Sequence, residues 1–259
     1  MVRSMFKEYN SLVQICVSTL NDGIFNIKFS DDFCYLIIHQ VTNGVDYEHL
    51  VLRFPANVKY ISLKNKGLSL SRNIALRNCD LPYCWIMDDD VEILSSASSS
   101  LNEIINRNPN QYLYVVSHSH RLENIEVKPA KKIGLFGALH ISSIDMIINV
   151  RSTSSFVSFN ENFGLGTDFP SGEEFIFANE VIRKKLGIVK VDTVCSIHPE
   201  ESSGNDFFST TNKLKAKRLM FIESVGRFFG NILYVFFILK KLPLLVKNNA
   251  ILTVVRSFI

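Results

Sequence analysis

The sequence predicts an α/β fold on a mainly parallel sheet, because short apolar runs alternate with helical patterns over the first two-thirds of the chain. Strands are predicted at Val13–Val17, Tyr35–Ile38, Val58–Leu63, Tyr83–Met87, Tyr112–Val116 and Ile188–Val194. Helices are predicted at Leu70–Leu76, Leu101–Ile105 and Phe175–Leu186. Such alternation places helices on both faces of the sheet. With 259 residues, 47% of them hydrophobic, the chain can build one sizeable core and an appendage.

The ends of these elements follow from local chemistry. Ser69 or Ser71 is a candidate N-cap for the first helix, and Pro109 ends the second. The third helix has basic residues at 183–185 in its last turns, and Gly187 follows as a stop. Three aspartates end the strand Tyr83–Met87 abruptly.

The chain changes character after residue 204, so we predict a catalytic domain over 1–204 and an extension over 205–259. The extension holds nine Lys and Arg against two Asp and Glu, whereas 1–204 hold 19 against 23. Phe228–Leu239 is apolar except for Asn231, and its 12 residues are fewer than the ~20 that span a bilayer. We therefore expect a helical segment in the membrane interface. The alternative is a helical hairpin packed on the core or on a second subunit.

Charge and cysteine content predict the kind of partner and the cellular compartment of the protein. A basic tail favours an anionic partner, and its apolar character favours a membrane surface over nucleic acid. Five cysteines without a C-x-x-C pair are typical of reduced core thiols. The first ten residues lack the apolar run of a signal peptide, so we expect the body to lie in the cytoplasm.

Asp88, Asp89 and Asp90 directly follow the apolar strand Tyr83–Met87. Ligands of open α/β sheets bind beyond the carboxyl ends of the strands. Two carboxylates one residue apart can hold Mg²⁺ or Mn²⁺, which would neutralise a departing diphosphate. The alternative is a solvated acidic turn; an EF-hand is excluded because its glycine and distal glutamate are missing.

Glu173 and Glu174 follow a glycine-rich loop and begin the third predicted helix. One of them could accept a proton from a substrate hydroxyl while the other holds that substrate. The alternative is a capping box, with Ser171 as N-cap and Glu174 reaching back to its amide.

His198 follows the last predicted strand and is a candidate third metal ligand, although a lone histidine is more often structural. The segment Ser202–Gly204 could donate hydrogen bonds to phosphate. His118 and His120 form a weaker alternative metal site. His140 lacks the sequence context that makes His198 a candidate ligand.

Together these motifs resemble the GT-A glycosyltransferases, in particular the inverting bacterial family 2 enzymes of surface polysaccharide assembly. Val13–Asn21 is similar to the family's first strand and nucleotide-contacting turn, and Asn65–Asn73 to its N-x-G-x-x-x-A-R-N stretch, with Ser71 in place of alanine. Trp85–Val91 resembles the strand that carries the DxD motif, and Gly172–Glu174 the acidic acceptor motif. The resemblance covers roughly residues 11–204.

The resemblance implies roles for single residues. Glu174 would be the catalytic base, with Glu173 holding the acceptor. Asp88, Asp90 and His198 would bind Mn²⁺ or Mg²⁺. Contacts to a nucleotide-sugar donor, with a UDP-sugar favoured, are implied for Thr19, Asn21, Asn65, Gly67, Arg72, Asp88 and Asp89. A saccharide or lipid-linked acceptor at the inner membrane face would receive the sugar, and no nucleic acid partner is expected.

The sequence also departs from the family pattern. The D-D-G-S-like motif after the second strand is replaced by Ile38–Gly44, and Glu174 stands where aspartate is commoner. Two other functions remain open: a nucleotidyltransferase, for which Ser18–Gly23 is a poor phosphate loop, and a non-catalytic scaffold that binds a nucleotide-sugar.

Overall fold

The structure is a computed structural model that describes residues 11–121, 126–151, 156–198 and 206–259. Nine strands in these ranges form one sheet. In chain order they are β1 (Val13–Leu20), β2 (Cys34–Gln40), β3 (Val58–Leu63), β4 (Tyr83–Asp88), β5 (Glu92–Ile93), β6 (Leu113–Ser119), β7 (Ala130–Lys132), β8 (Met146–Asn149) and β9 (Ile188–Ile197).

The sheet is mixed and mainly parallel, as the sequence predicts. Its order is β3-β2-β1-β4-β8-β6-β9-β5, and β7 pairs with β9. The pairs within β3-β2-β1-β4 are parallel, as is β6 with β9. Strand β8 runs antiparallel between β4 and β6. The parallel half therefore carries the ends of β1, β2 and β4 to one edge of the sheet.

Seven α-helices lie in the described ranges: α1 (Glu48–Val51), α2 (Leu68–Asn78), α3 (Ala97–Arg107), α4 (Glu173–Arg183), α5 (Thr211–Val225), α6 (Arg227–Lys247) and α7 (Ile251–Arg256). Helices α2 and α4 cover one face of the sheet, and α3 covers the other. The period of two along β1 decides this division, because Val13, Ile15 and Val17 join the cluster under α3, whereas Cys16 joins the cluster under α2.

The helix starts differ from the predicted caps. Helix α2 begins after Gly67, and the side chains of Ser69 and Ser71 make tertiary hydrogen bonds instead, to the Phe163 carbonyl and to Ser18 Oγ. Helix α4 begins after Gly172, which has φ +108° and no side chain to cap with. The capping box suggested by Ser171 and Glu174 therefore does not form.

The extension is longer and better packed than its apolar run suggested. Helix α6 continues for 21 residues, through Lys240, Lys241 and Pro243, and is long and apolar enough by composition to cross a membrane. One of its faces packs on the body: Tyr234 lies in the main core with Phe221 of α5. The helical-hairpin alternative is therefore seen in the packing of α5 on α6, although the outer face of α6 stays exposed.

Candidate active site

The ends of β1, β2 and β4 open into a cleft of about 620 Å³. Its floor comes from these strand ends, and its far wall from the loop before α4, the start of α4 and helix α5. The predicted site residues that line it are Thr19, Arg72, Asp88, Asp89, Asp90, Glu173, Glu174 and His198. The fold thus brings three distant stretches of chain to one place.

The turn after β1 is tied to the aspartates after β4. Thr19 Oγ1 donates a hydrogen bond to Asp89 Oδ2 at 2.5 Å. A side chain at Gly23 would place its Cβ 2.1 Å from the same Asp89 oxygen, so glycine permits this approach. Burial raises the pKa of Asp89, while the Thr19 hydrogen bond opposes the rise. Asp89 therefore joins two strand ends.

Arg72 links the two acidic stretches from within the protein. It lies on α2 with 1% of its surface exposed. Its Nη2 lies 3.4 Å from Asp88 Oδ1, and its Nη1 lies 3.1 Å from Glu173 Oε1 and 3.5 Å from Glu174 Oε1. Burial alone would lower the pKa of Arg72, but these three carboxylates outweigh it and raise the pKa. A buried cation with such partners fixes their positions.

Glu173 and Glu174 have different surroundings although they are adjacent in α4. Glu173 is 3% exposed, and its Oε2 has no hydrogen-bond partner among the described residues. Burial, and next the Glu174 charge, raise the pKa of Glu173 to about 8. Glu174 has 22% of its side chain exposed and lines the cleft. Burial thus favours the neutral form of Glu173, and it does not fit the expected role of holding an acceptor.

Asp90 and His198 face each other across the opening of the cleft. His198 Nε2 lies 3.6 Å from Asp90 Oδ1, and Asp90 keeps 45% of its side chain exposed. A carboxylate beside an imidazole suits Mn²⁺ or Mg²⁺ completed by substrate oxygens and water. Asp88 turns toward Arg72, so Asp88, Asp90 and His198 do not bring their ligand atoms within 4.8 Å of one another. Asp90 and His198 are therefore placed to bind a cation, whereas Asp88 pairs with Arg72.

The other histidines support His198. His118 Nδ1 pairs with Asp145 Oδ1 at 3.0 Å, a hydrogen bond that raises the pKa of His118. The His118 ring lies 5.9 Å from the His198 ring, and His120 Nδ1 contacts the His198 carbonyl oxygen at 2.9 Å. His118 and His120 thus have separate hydrogen-bond partners through Nδ1, and metal binding by this pair stays a prediction.

Three residues predicted to contact the donor lie outside the cleft lining. The Asn21 side chain accepts a hydrogen bond from the Thr42 amide, and Asn65 is exposed. Gly67 is buried, and its amide donates to Gln40 Oε1 at 2.6 Å. Their contact with a nucleotide stays a prediction, as does phosphate binding by Ser202–Gly204, which lie outside the described residues.

Comparison with known sequences decides the family. Residues 43–171, almost half of the chain, match the model of Glycosyl transferase family 2. This chain belongs to glycosyltransferase family 2. No curated protein sequence matches it.

Solved structures share the GT-A fold of this family 2 chain. Staphylococcus aureus TarS 1–349 in complex with UDP-GlcNAc is similar with a TM-score of 0.55 and 15% identity, over 82% of this chain and 66% of that one. Mannosyltransferase PcManGT from Pyrobaculum calidifontis, in complex with GDP-Man and Mn²⁺, gives 0.54 and 11%, over 84% and 65%. This chain thus spans slightly less than two thirds of these relatives.

Helix α5 supplies cleft residues of the family 2 chain that the sequence analysis missed. Lys217 and Met220 line the cleft, and Met220 packs so closely on Gly172 that a Cβ there would lie 2.8 Å from the Met220 Cβ. In sequence, Lys217 belongs to a basic run that resembles a solvated helix face. Its partial burial shows only once α5 is placed on α4.

Proposed function

We propose that this chain transfers a sugar from a nucleoside diphosphate donor to a saccharide acceptor, with inversion at the anomeric carbon. One observation carries the proposal: buried Arg72 holds Asp88, at the strand end, and Glu174, at the helix start, in the same cleft. A donor site and a base within one cleft are what a single displacement requires. A UDP-sugar is the favoured donor.

Each residue has a separate task in this mechanism. Glu174 removes the proton from the acceptor hydroxyl, whose oxygen attacks the anomeric carbon from the face opposite the diphosphate. The bond from that carbon to the diphosphate oxygen breaks, and the nucleoside diphosphate departs. Glu173, buried against Arg72, helps to hold the guanidinium that also contacts Glu174.

A divalent cation fits Asp90 and His198. When bound there, Mn²⁺ or Mg²⁺ supplies positive charge that stabilises the departing diphosphate. Asp89 and Thr19 hold the turn after β1 against the aspartates, so that the donor side of the cleft keeps its shape. Arg72 holds Asp88 at 3.4 Å in the lining of the cleft.

We further propose that α6 lies on the inner face of a membrane and brings the cleft to a lipid-linked acceptor used in surface polysaccharide assembly. The exposed side chains on its outer face are Phe228, Phe229, Ile232, Val235, Phe236 and Leu239. Basic residues flank this face at Arg227, Lys240 and Lys241. The inner face packs on the body through Tyr234, which favours a helix in the interface over one that crosses the bilayer.

Product analysis tests the proposed reaction. The full chain is incubated with Mn²⁺ and UDP-GlcNAc or GDP-mannose, with and without membrane lipid extract, and the nucleotide products are separated. We expect free nucleoside diphosphate and a sugar-labelled lipid or saccharide. Transfer of the nucleoside monophosphate with release of sugar 1-phosphate would instead identify a nucleotidyltransferase, and donor binding without turnover would identify a scaffold.

A further inference from the structure

Helix α5 holds one lysine at the cleft. Lys217 lines the cleft beside Glu173 and Glu174, and the helix is fixed by the buried Leu214 and Ala216, both 0% exposed. One turn further on, Phe221 packs edge-on against Phe175 of α4 at 5.5 Å. The position of Lys217 is therefore set by the packing of α5 on α4.

Lys217 has no partner among the described residues. Its ammonium makes no hydrogen bond and no ion pair within 4.0 Å to any of them. Its neighbours on α5 are engaged, since Lys213 pairs with Asp206 and Arg218 donates to Asn231. Burial lowers the pKa of Lys217, and Glu174 and then Glu173 oppose that change. A partly buried cation that lines a cleft, with no ion-pair partner in the described part of the chain, suits an anionic ligand.

Among the described residues, two other basic side chains line the cleft, and neither is both partly buried and without a carboxylate partner. Arg72 is already held by three carboxylates, and Lys66 is exposed. The charges that act on Lys217 are Glu174 and Glu173, rather than the aspartates at the end of β4. Lys217 thus lies on the side of the base, where the acceptor enters, and apart from the side assigned to the donor diphosphate.

We propose that Lys217 binds an anionic group of the acceptor, a phosphate or a carboxylate, next to the hydroxyl that Glu174 deprotonates. This inference rests on the proposed function. It makes α5, and so the C-terminal extension, part of the acceptor site. A phosphate would come from a phosphate-linked saccharide, and a carboxylate from an acidic sugar.

Calorimetric titration of the full chain, with UDP and Mn²⁺ present to fill the donor side, tests this subsite. The probes are glucose 1-phosphate, methyl glucuronide and neutral methyl glucoside. We expect one anionic probe to bind about tenfold tighter than the glucoside, because a charge-assisted hydrogen bond has roughly that effect. The phosphate and the glucuronide arms distinguish the two sources.

Variants assign the preference to this residue. Lys217→Gln should bring the anionic and neutral probes to within about twofold of each other, whereas Lys217→Arg should keep most of the preference. Lys215→Gln is the matched control, because two residues along a helix place its side chain on another face. It should leave all three affinities unchanged.

Several results would overturn the inference. They are equal binding of charged and neutral probes by the unsubstituted protein, no binding of either anion at millimolar concentration, or an anionic preference that survives in Lys217→Gln. If Lys217→Gln instead weakens UDP binding as much as probe binding, the lysine contacts the donor. Failure of UDP itself to bind with Mn²⁺ would contradict the proposed function, so the two failures are distinguishable.

Discussion

Glu173 and Glu174 are adjacent in the chain, but the fold buries Glu173 and leaves Glu174 partly exposed in the cleft. Glu173 lies under Arg72 with a pKa raised to about 8, mainly by burial, and Glu174 faces the cleft. Two carboxyl groups with different environments can take different roles in one reaction. The structure therefore favours Glu174 as the group that accepts the proton.

Glu174→Gln tests that role. The amide keeps the size of the side chain but cannot accept the proton, so transfer should fall by about 10²–10⁴-fold. Donor affinity, measured by titration with UDP-sugar and Mn²⁺, should change little, because the donor side of the cleft is untouched. An enzyme that retains full transfer activity after this substitution would remove Glu174 from the mechanism.

Glu173 should make stability depend on pH. Its folded pKa is raised from 4.5 to about 8, so the unfolded chain loses this proton at lower pH than the folded one. The stabilisation is complete below about pH 4.5 and is lost as the pH rises to about 8. Each pKa unit corresponds to about 1.4 kcal/mol, which limits the loss to roughly 5 kcal/mol.

Glu173→Gln provides the comparison. Chemical denaturation of the metal-free protein at several pH values should show a stability that declines between pH 5 and about 8, and the variant should decline less over this range. If the free energies of unfolding of the two proteins change equally between pH 5 and about 8, Glu173 is ionised throughout this range and the prediction is wrong.

At the scale of elements, the contact between α4 and α5 closes the cleft. Gly172 has φ +108°, and a Cβ there would meet the Met220 Cβ at 2.8 Å. Gly172→Ala therefore adds a steric clash to backbone strain of about 1–3 kcal/mol. Gly44, with φ +74° and nothing within 4 Å of a new Cβ, is a control for strain alone.

A double-mutant cycle separates the two effects. Gly172→Ala should destabilise the protein more than Gly44→Ala in denaturant titrations. Gly172→Ala combined with Met220→Gly should cost less than the sum of the two single substitutions, because glycine at 220 removes the Cβ, Cγ and Sδ atoms that clash. Equal costs for the two glycine variants would mean that α5 does not press on α4 at this point.

The sequence predicts the elements with long apolar runs and misses the short ones. The sequence predicts β3 at its observed bounds, and the observed β1, β2, β4 and β9 extend the predicted strands by a few residues. Strand β6 begins one residue later and ends three residues later than predicted. β5, β7 and β8 have two to four residues each, too few to show a period. The acidic clusters can be found in the sequence because each adjoins a strand or helix with a clear apolar pattern. The position of Lys217 in the cleft cannot be found there, because it depends on how α5 packs.

At the scale of the whole molecule, the extension belongs to the body. Phe221 and Tyr234 lie in the main core, and Lys217 lines the cleft. Removing residues 205–259 would expose that core and open the cleft, so truncation is not a clean test of membrane binding. Substitutions on the outer face of α6 leave the inner contacts in place.

Phe228→Glu combined with Phe236→Glu tests the membrane proposal. These side chains are 72% and 64% exposed, so the fold should tolerate both changes. Burial of each phenylalanine contributes about 1.5–3 kcal/mol, and its loss should reduce flotation with anionic liposomes strongly. Leu52→Glu, at an 89% exposed position outside the extension, should float like the unsubstituted protein. Equal flotation of all three proteins would exclude this face as the anchor.

In the proposed enzyme a cation-dependent donor site and a base share one cleft, and titration of Asp90→Asn with UDP-sugar and Mn²⁺ is the sharpest test of this arrangement. Donor affinity of the unsubstituted protein should rise with Mn²⁺, and Asp90→Asn should lose about tenfold or more of it, or about 1.4 kcal/mol. Asp31→Asn, at an exposed turn, should bind as the unsubstituted protein does. If Asp90→Asn keeps the same donor affinity and the same response to Mn²⁺, Asp90 does not hold the cation of a donor site.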